Sequence, residues 1–223
     1  MNEPHILQLD SVEPADRDEP IGLVFDEGTL LLADVGPEFD APEAFVFDDR
    51  VEQFRAPAAD YRAVLAALLR KGLRVRDEAR GYTDVGFEIR ERLDPYPHQR
   101  EALDAWVSGG KRGMVVLPTG SGKTYVAQLA IEQIGRSTLV VVPTIDLMNQ
   151  WSGVLEQAFG RDVGLIGGGY HEIEDLTVST YDSAAIHMDR LGDRFGLVVF
   201  DEAHHLPGEV YRQASEFSIA PFR

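Results

Sequence analysis

The chain has no cysteine, only three lysines, and no apolar run of membrane-spanning length. Each shortage excludes something. Without cysteine there is no disulfide framework, no thiolate zinc site and no cysteine nucleophile. No stretch reaches the roughly 18 consecutive apolar residues of a transmembrane helix, and no basic-then-apolar leader opens the chain. The expectation is a soluble, cytoplasmic protein with no membrane partner. Lysine is confined to Lys71, Lys111 and Lys123, beside 18 arginines. Acidic residues dominate, 38 Asp and Glu giving a formal net charge of −17. Such a surface keeps a protein dissolved in concentrated salt at some cost in self-repulsion, so a halophilic setting is expected. A surface matched to a basic partner is the alternative.

The 223 residues allow one or two domains. Residues 1–20 are acidic, carry little apolar periodicity and are expected to form a disordered tail. Within 21–77, the runs Ile21–Phe25 and Thr29–Ala33 flank Asp26-Glu27-Gly28 and predict a hairpin. Phe45–Phe47 predicts a further strand. Tyr61, Val64, Leu65, Leu68 and Leu69 recur at helical spacing, with Gly72 as the stop. Leu73–Arg76 alternates like a strand, so 21–77 reads as a small α+β domain.

Residues 78–95 are polar, end at Asp94-Pro95 and read as a linker. From residue 96 a helix over 98–107 precedes alternating elements. These are strands at 114–117, 138–142, 176–179 and 196–200, with helices after Lys123, at 147–159 and at 183–191. That rhythm predicts an α/β fold, a parallel sheet with flanking helices. Leu139–Val142 and Leu197–Phe200 are continuously apolar, as buried parallel strands are.

One stretch organises this second part: Gly113-Met-Val-Val-Leu-Pro-Thr-Gly-Ser-Gly-Lys-Thr124. The apolar run Met114–Leu117 reads as a buried strand that breaks into a glycine-rich turn, after which Lys123-Thr124 opens a helix. Backbone N–H groups then converge at a helix N-terminus, where unpaired donors and the dipole favour an anion. Gly120 and Gly122 admit backbone angles closed to other residues and let the main chain approach a phosphate. Thr119, Gly120, Ser121 and Gly122 would line the cradle, Lys123 would reach the terminal phosphates, and Thr124 would ligate Mg²⁺. A plain Gly/Ser connector is the alternative. Lysine suits the position because a compact ammonium fits where a planar guanidinium would not.

A second constellation follows Phe200, namely Asp201-Glu202-Ala203-His204-His205. Two carboxylates at the carboxyl end of a parallel strand sit where open α/β sheets bind ligands. Asp201 would hold Mg²⁺, and Glu202 would orient and deprotonate the attacking water. His204 would sense the γ-phosphate side. An acidic turn that only caps a strand is the alternative; with the phosphate loop present, nucleoside triphosphate hydrolysis is the default chemistry.

Four blocks in order, Leu117–Thr124, Val142–Trp151, Thr177–Ser183 and Phe200–Pro207, resemble a superfamily 2 helicase. Their wording is similar to the XPB type of DNA repair and transcription-associated helicases, in an archaeal form. The resemblance covers 96–223, and 21–77 resembles the family's damage-recognition domain in position and element order. It implies a RecA-like P-loop lobe with a DEAH box, which uses ATP and Mg²⁺ and acts on DNA. Gln99 would match the adenine-reading glutamine, where this chain has Tyr96-Pro97-His98 in place of the usual preceding Arg and Tyr. Pro143, Thr144, Ser179 and Thr180 would touch the nucleic-acid backbone; as residues alone they read as strand ends with a cap or turn. A pI near 4.6 gives no basic footprint. In molar salt, however, screening over about 3 Å leaves phosphate contacts to hydroxyls and backbone N–H groups.

The family pattern continues past Arg223 into a coupling loop and a second RecA-like lobe. The lobe is therefore expected to be incomplete, stopping before motif III, and the chain alone is expected to be inactive as helicase or ATPase. A nuclease or repair protein is a further partner expected from this pattern. Two other readings stand beside it: a non-catalytic half that only holds ATP or DNA, and the motor subunit of a restriction-modification system.

Overall fold

The computed structural model describes residues 5–8, 19–205 and 208–223. The chain forms two compact units. Each has its own sheet.

The first unit comprises Met1–Gly81 with His187–Arg194 and Gln213–Ile219. Its six strands are β1 (His5–Leu7), β2 (Ile21–Asp26), β3 (Thr29–Ala33), β4 (Val46–Asp48), β5 (Gln53–Pro57) and β6 (Val75–Asp77). They lie in the order β1-β6-β2-β3-β5-β4. The β2–β3 hairpin turns at Glu27-Gly28, both in the left-handed region, and pairs Asp26 with Thr29. Alternation does the sorting: Leu30 and Leu32 are fully buried while their neighbours on β3 are half-exposed. Helix α1 (Tyr61–Arg70) buries Tyr61, Val64 and Leu68, and the Tyr61 hydroxyl donates to Asp77 Oδ2 at 2.5 Å. Each such aliphatic side chain contributes about 1.5–3 kcal/mol on burial.

Two expectations change here. Residues 5–7, expected in a disordered tail, form β1, antiparallel to β6. Of the rest of that stretch, residues 1–4 and 9–18 lie outside the described residues. Strand β5 was not expected, because a five-residue run ending in Pro57 gives too little alternation.

The second unit comprises Tyr82–Ile186, Phe195–Arg212 and Ala220–Arg223. Its elements include α2 (Pro97–Ser108), α3 (Lys123–Ile134), β7 (Thr138–Val142), α4 (Ile145–Phe159), β8 (Gly164–Gly167), β9 (Tyr170–His171), β10 (Leu176–Thr180) and β11 (Leu197–Phe200). Two helices, α5 (Tyr181–Leu191) and α6 (Glu209–Glu216), run from one unit's residues into the other's. The sheet order is β11-β7-β10-β8-β9. Central β7 and β10 are buried along their whole length; β7 reads as an unbroken apolar and β-branched run, and β10 sets small hydroxyl residues between Leu176 and Val178 and after them. Trp106, Leu129, Ile131, Met148, Trp151, Leu155 and Phe159 pack on them in one core.

The sheet is mixed, not purely parallel. β11, β7, β10 and β8 run parallel, but β9 returns antiparallel to β8 through Gly168-Gly169. A second correction concerns Met114–Leu117, which forms no strand; Met114 and Val116 are 71% and 82% exposed. Backbone bonds to the chain end fall on Lys111 and Gly113, just before the run. Arg223 N–H donates to Lys111 O at 3.1 Å and Gly113 N–H to Arg223 O at 3.2 Å, while Phe222 bridges Leu197 of β11. Beyond Gly113 no described residue offers a ladder, and an unpaired apolar run does not make a strand.

Residues 78–95 also depart from a linker. They have no regular element, yet Phe87 and Ile89 enter the second core. Val85 N–H bonds Gly135 O at 2.7 Å and Arg90 N–H bonds Ala158 O at 2.8 Å.

Candidate functional site

Two loops of the second unit carry the residues singled out from the sequence. The first runs from Gly113 into α3. Gly120 and Gly122 adopt φ of +78° and +80°, and Gly122 is the N-cap, so Lys123 and Thr124 form the first turn of α3. Thr119 and Gly120 are exposed; Ser121, Lys123 and Thr124 are half-buried. A side chain at Gly120 would meet nothing within 4 Å, so the loop stays open to a close-approaching ligand. Ser121 Oγ donates to Pro118 O at 2.6 Å, and Lys123 Nζ donates to Leu117 O at 3.2 Å.

Helix α2 ties this loop down from one side. Gln99 is 4% exposed, its Oε1 accepting from Tyr96 N–H at 3.0 Å and its Nε2 donating to Ser121 O at 3.0 Å. Both ends of that amide are engaged, so Gln99 braces the phosphate loop here and does not present itself to a base. The bracing needs glycine at 122, where a Cβ would fall 2.3 Å from Gln99 Nε2. His98 Nε2 lies 2.9 Å from the same Ser121 carbonyl and must carry the proton to bond it. Its ring stacks on Tyr96. A cavity of about 480 Å³ opens at the start of α2, lined by Arg92, Leu93, Asp94, Pro95, Arg100, Leu103 and Leu129.

The second loop is the acidic turn after β11. Asp201 is held at four points. Its N–H donates to Val141 O at 2.9 Å, and its carbonyl accepts from Tyr181 Oη at 3.0 Å. Its Oδ2 accepts from Trp151 Nε1 at 2.8 Å and its Oδ1 from Glu202 N–H at 3.0 Å. Burial, then the charges of Asp201 and Glu202, push the Tyr181 phenol above its ordinary range, so it stays a donor. Glu202 is exposed, sits at φ +50° and pairs with His204 Nδ1 at 3.3 Å.

The remaining candidates divide. Thr144 caps α4, its Oγ1 accepting from Leu147 N–H at 3.2 Å, and stays exposed beside half-buried Pro143. Ser179 and Thr180 are 1% and 6% exposed. The Ser179 hydroxyl is spent on Ile166 O at 3.0 Å, and Thr180 Oγ1 bonds Ser183 Oγ at 3.0 Å. Neither hydroxyl faces solvent. Sequence reasoning passed over Trp151 and Tyr181, which lie 50 and 20 residues from Asp201 and give no local signal of the contact.

Among the described residues no three His, Asp or Glu side chains cluster as a metal cage. Mg²⁺ needs no such cage, since it takes one or two carboxylates and completes its shell with water and phosphate. Thr124 and Asp201 supply hard oxygen donors of that kind. A zinc centre has no ligand set among the described residues.

Residues 92–223 match the family described as type III restriction enzyme, res subunit. Residues 23–79 match the Xeroderma pigmentosum group B helicase damage recognition domain. The DNA 3'-5' translocase XPB2 of Sulfurisphaera tokodaii is 38% identical over 178 residues, 79% of this chain and 40% of that protein. The putative DNA 3'-5' helicase Rad25 of Halobacterium salinarum is 34% identical, over 75% of this chain and 30% of its own length. The chain thus spans less than half of the curated relatives it matches. The crystal structure of the UvsW helicase from bacteriophage T4 shares the fold, with a TM-score of 0.51 at 14% identity over 92% of this chain and 90% of that one. With well over half of its residues inside the matched span, the chain belongs to the family described as type III restriction enzyme, res subunit, and carries a superfamily 2 helicase-like domain related to the XPB/Rad25 proteins.

Proposed function

We propose that the chain forms the ATP-Mg²⁺-binding part of a DEAH-box DNA helicase or translocase serving repair or transcription. One observation carries this reading: two left-handed glycines set Lys123 at the first turn of α3, in the same unit as a carboxylate turn at the end of β11. Backbone N–H groups of 120–124 and the Lys123 ammonium would bind the phosphates. Thr124 and Asp201 would hold Mg²⁺, which when bound supplies charge neutralisation at those phosphates. Glu202, exposed and one residue on, would orient a water and take its proton. Release of Lys123 from Leu117 O and of Gln99 from the loop would accompany nucleotide entry.

The similarity of 23–79 to a damage recognition domain supports DNA repair over a restriction motor. On the DNA side, exposed Thr144 and half-buried Pro143 are the contacts, and buried Ser179 and Thr180 support the loop from behind. A second RecA-like lobe, in cis or supplied by a partner, would complete the cleft for turnover. The acidic surface supports a salt-rich cytoplasm.

Titration with a fluorescent ATP analogue tests the reading. Mg²⁺ should raise affinity, and Lys123→Ala should weaken binding about 10- to 100-fold, the range for losing a charged hydrogen bond. Equal binding by the variant would sink it. In molar KCl, Thr144→Ala should weaken duplex binding while Ser179→Ala should not.

A further inference from the structure

The four-point hold on Asp201 assigns roles to two buried aromatic side chains. Trp151 stands on the seventh residue of α4, 5% exposed, and its indole N–H can only donate. It spends that donor on Asp201 Oδ2, while Oδ1 takes Glu202 N–H. A carboxylate oxygen has two lone pairs, so each keeps one for a cation or its water. The indole bond therefore fixes the rotation of the carboxylate without consuming its capacity to bind. Tyr181, 1% exposed, does the same for the backbone by donating to Asp201 O, with its ring against Phe200.

Both aromatics hang from the strand ends that precede them. α4 starts after Pro143-Thr144 at the end of β7, and Tyr181 directly follows Thr180 at the end of β10. One carboxylate oxygen is thus held by α4 and the other by the residue's own turn, while α5 holds the backbone carbonyl.

We propose that Trp151 is a positioning residue for Asp201, orienting its carboxylate for a Mg²⁺-nucleotide, with Tyr181 fixing the backbone of the same turn. The proposal rests on the Mg²⁺-ATP reading above. Phosphate binding itself belongs to the loop before α3. The contribution of Trp151 therefore lies in the Mg²⁺-dependent gain alone.

The test uses the full 223-residue chain, adenylyl imidodiphosphate as probe, and calorimetric affinities in EDTA and in Mg²⁺. Trp151→Phe keeps an aromatic ring and removes the donor. The expected result is unchanged affinity in EDTA and a Mg²⁺ enhancement reduced about five- to tenfold. Tyr181→Phe should reduce it by a smaller factor. As a readout that needs no Trp151 variant, the Trp106→Phe chain is labelled with 5-fluorotryptophan, which retains the indole N–H. Its single ¹⁹F resonance should shift with probe plus Mg²⁺ and not with probe in EDTA. An enhancement equal to the parent's in Trp151→Phe, or equal losses with and without Mg²⁺, overturns the positioning role alone. A parent chain whose affinity Mg²⁺ does not raise overturns it together with the reading beneath it.

Discussion

The two halves of the candidate site are built in opposite ways. The acidic turn closes a completed strand, and each polar group of Asp201 has a named partner drawn from β7, α4, α5 or its own turn. The phosphate loop follows a run without a ladder, is bonded largely to itself, and is steadied from outside by α2 through Gln99 and His98. Local sequence is rich where structure is thin: glycines and a lysine announce the loop, while the better-held carboxylate depends on residues far away in the chain. A ligand that supplies its own charge can organise a loop of backbone donors. A carboxylate must be aimed before the cation arrives.

The sharpest way to break this contrast is to truncate one apolar residue on each side. Trp151→Ala should cost about 3–5 kcal/mol in denaturant unfolding, whereas Val116→Ala, at 82% exposure, should stay within about 0.5 kcal/mol. Similar losses would mean the two halves are equally packed. Next in size is amide exchange. The Asp201 N–H, bonded to Val141 O, should exchange at least about 100-fold more slowly than the amides of Met114–Leu117. Comparable rates at both places would remove the distinction.

A finer comparison lies within the loop. Gly120→Ala meets only the left-handed penalty, about 1 kcal/mol. Gly122→Ala also displaces the Gln99 amide and should cost about 2 kcal/mol. If both cost the same, the α2 brace adds nothing. The smallest effect is on pH dependence. Because the folded state holds Tyr181 protonated, its stabilising share is complete below the unfolded pKa near 10 and declines as pH rises beyond it. Parent and Tyr181→Phe melting curves should therefore converge above pH 10, and a constant difference would contradict the clamp.

How much of this was legible in the sequence follows from which interactions are local. The hairpin at 21–33 and the parallel strands β7 and β11 were readable because alternation and unbroken apolar runs report burial directly. Met114–Leu117 carries the same pattern and misled, since a pattern says what a segment can bury and not whether a backbone partner stands beside it. Strands β8 and β9 were missed because Gly164 and Gly167–Gly169 dilute a short run. Phe87 and Ile89 were hidden in a polar stretch without period. At the site, the glycine–lysine loop and the carboxylate pair were readable, but the burial of Ser179 and Thr180 follows from β10 being covered on both faces. The Trp151 bond spans 50 residues and is visible only once α4 is laid on the sheet.

The backbone of Glu202 has one more consequence. A glutamate at φ +50° occupies a conformation that glycine or asparagine takes more cheaply, by about 1 kcal/mol or more against glycine. Selection for thermal robustness alone would therefore drift toward replacing the very side chain proposed to activate water. Engineers optimising this chain by melting temperature would be rewarded for disarming it, so position 202 is one to hold fixed in any stability screen.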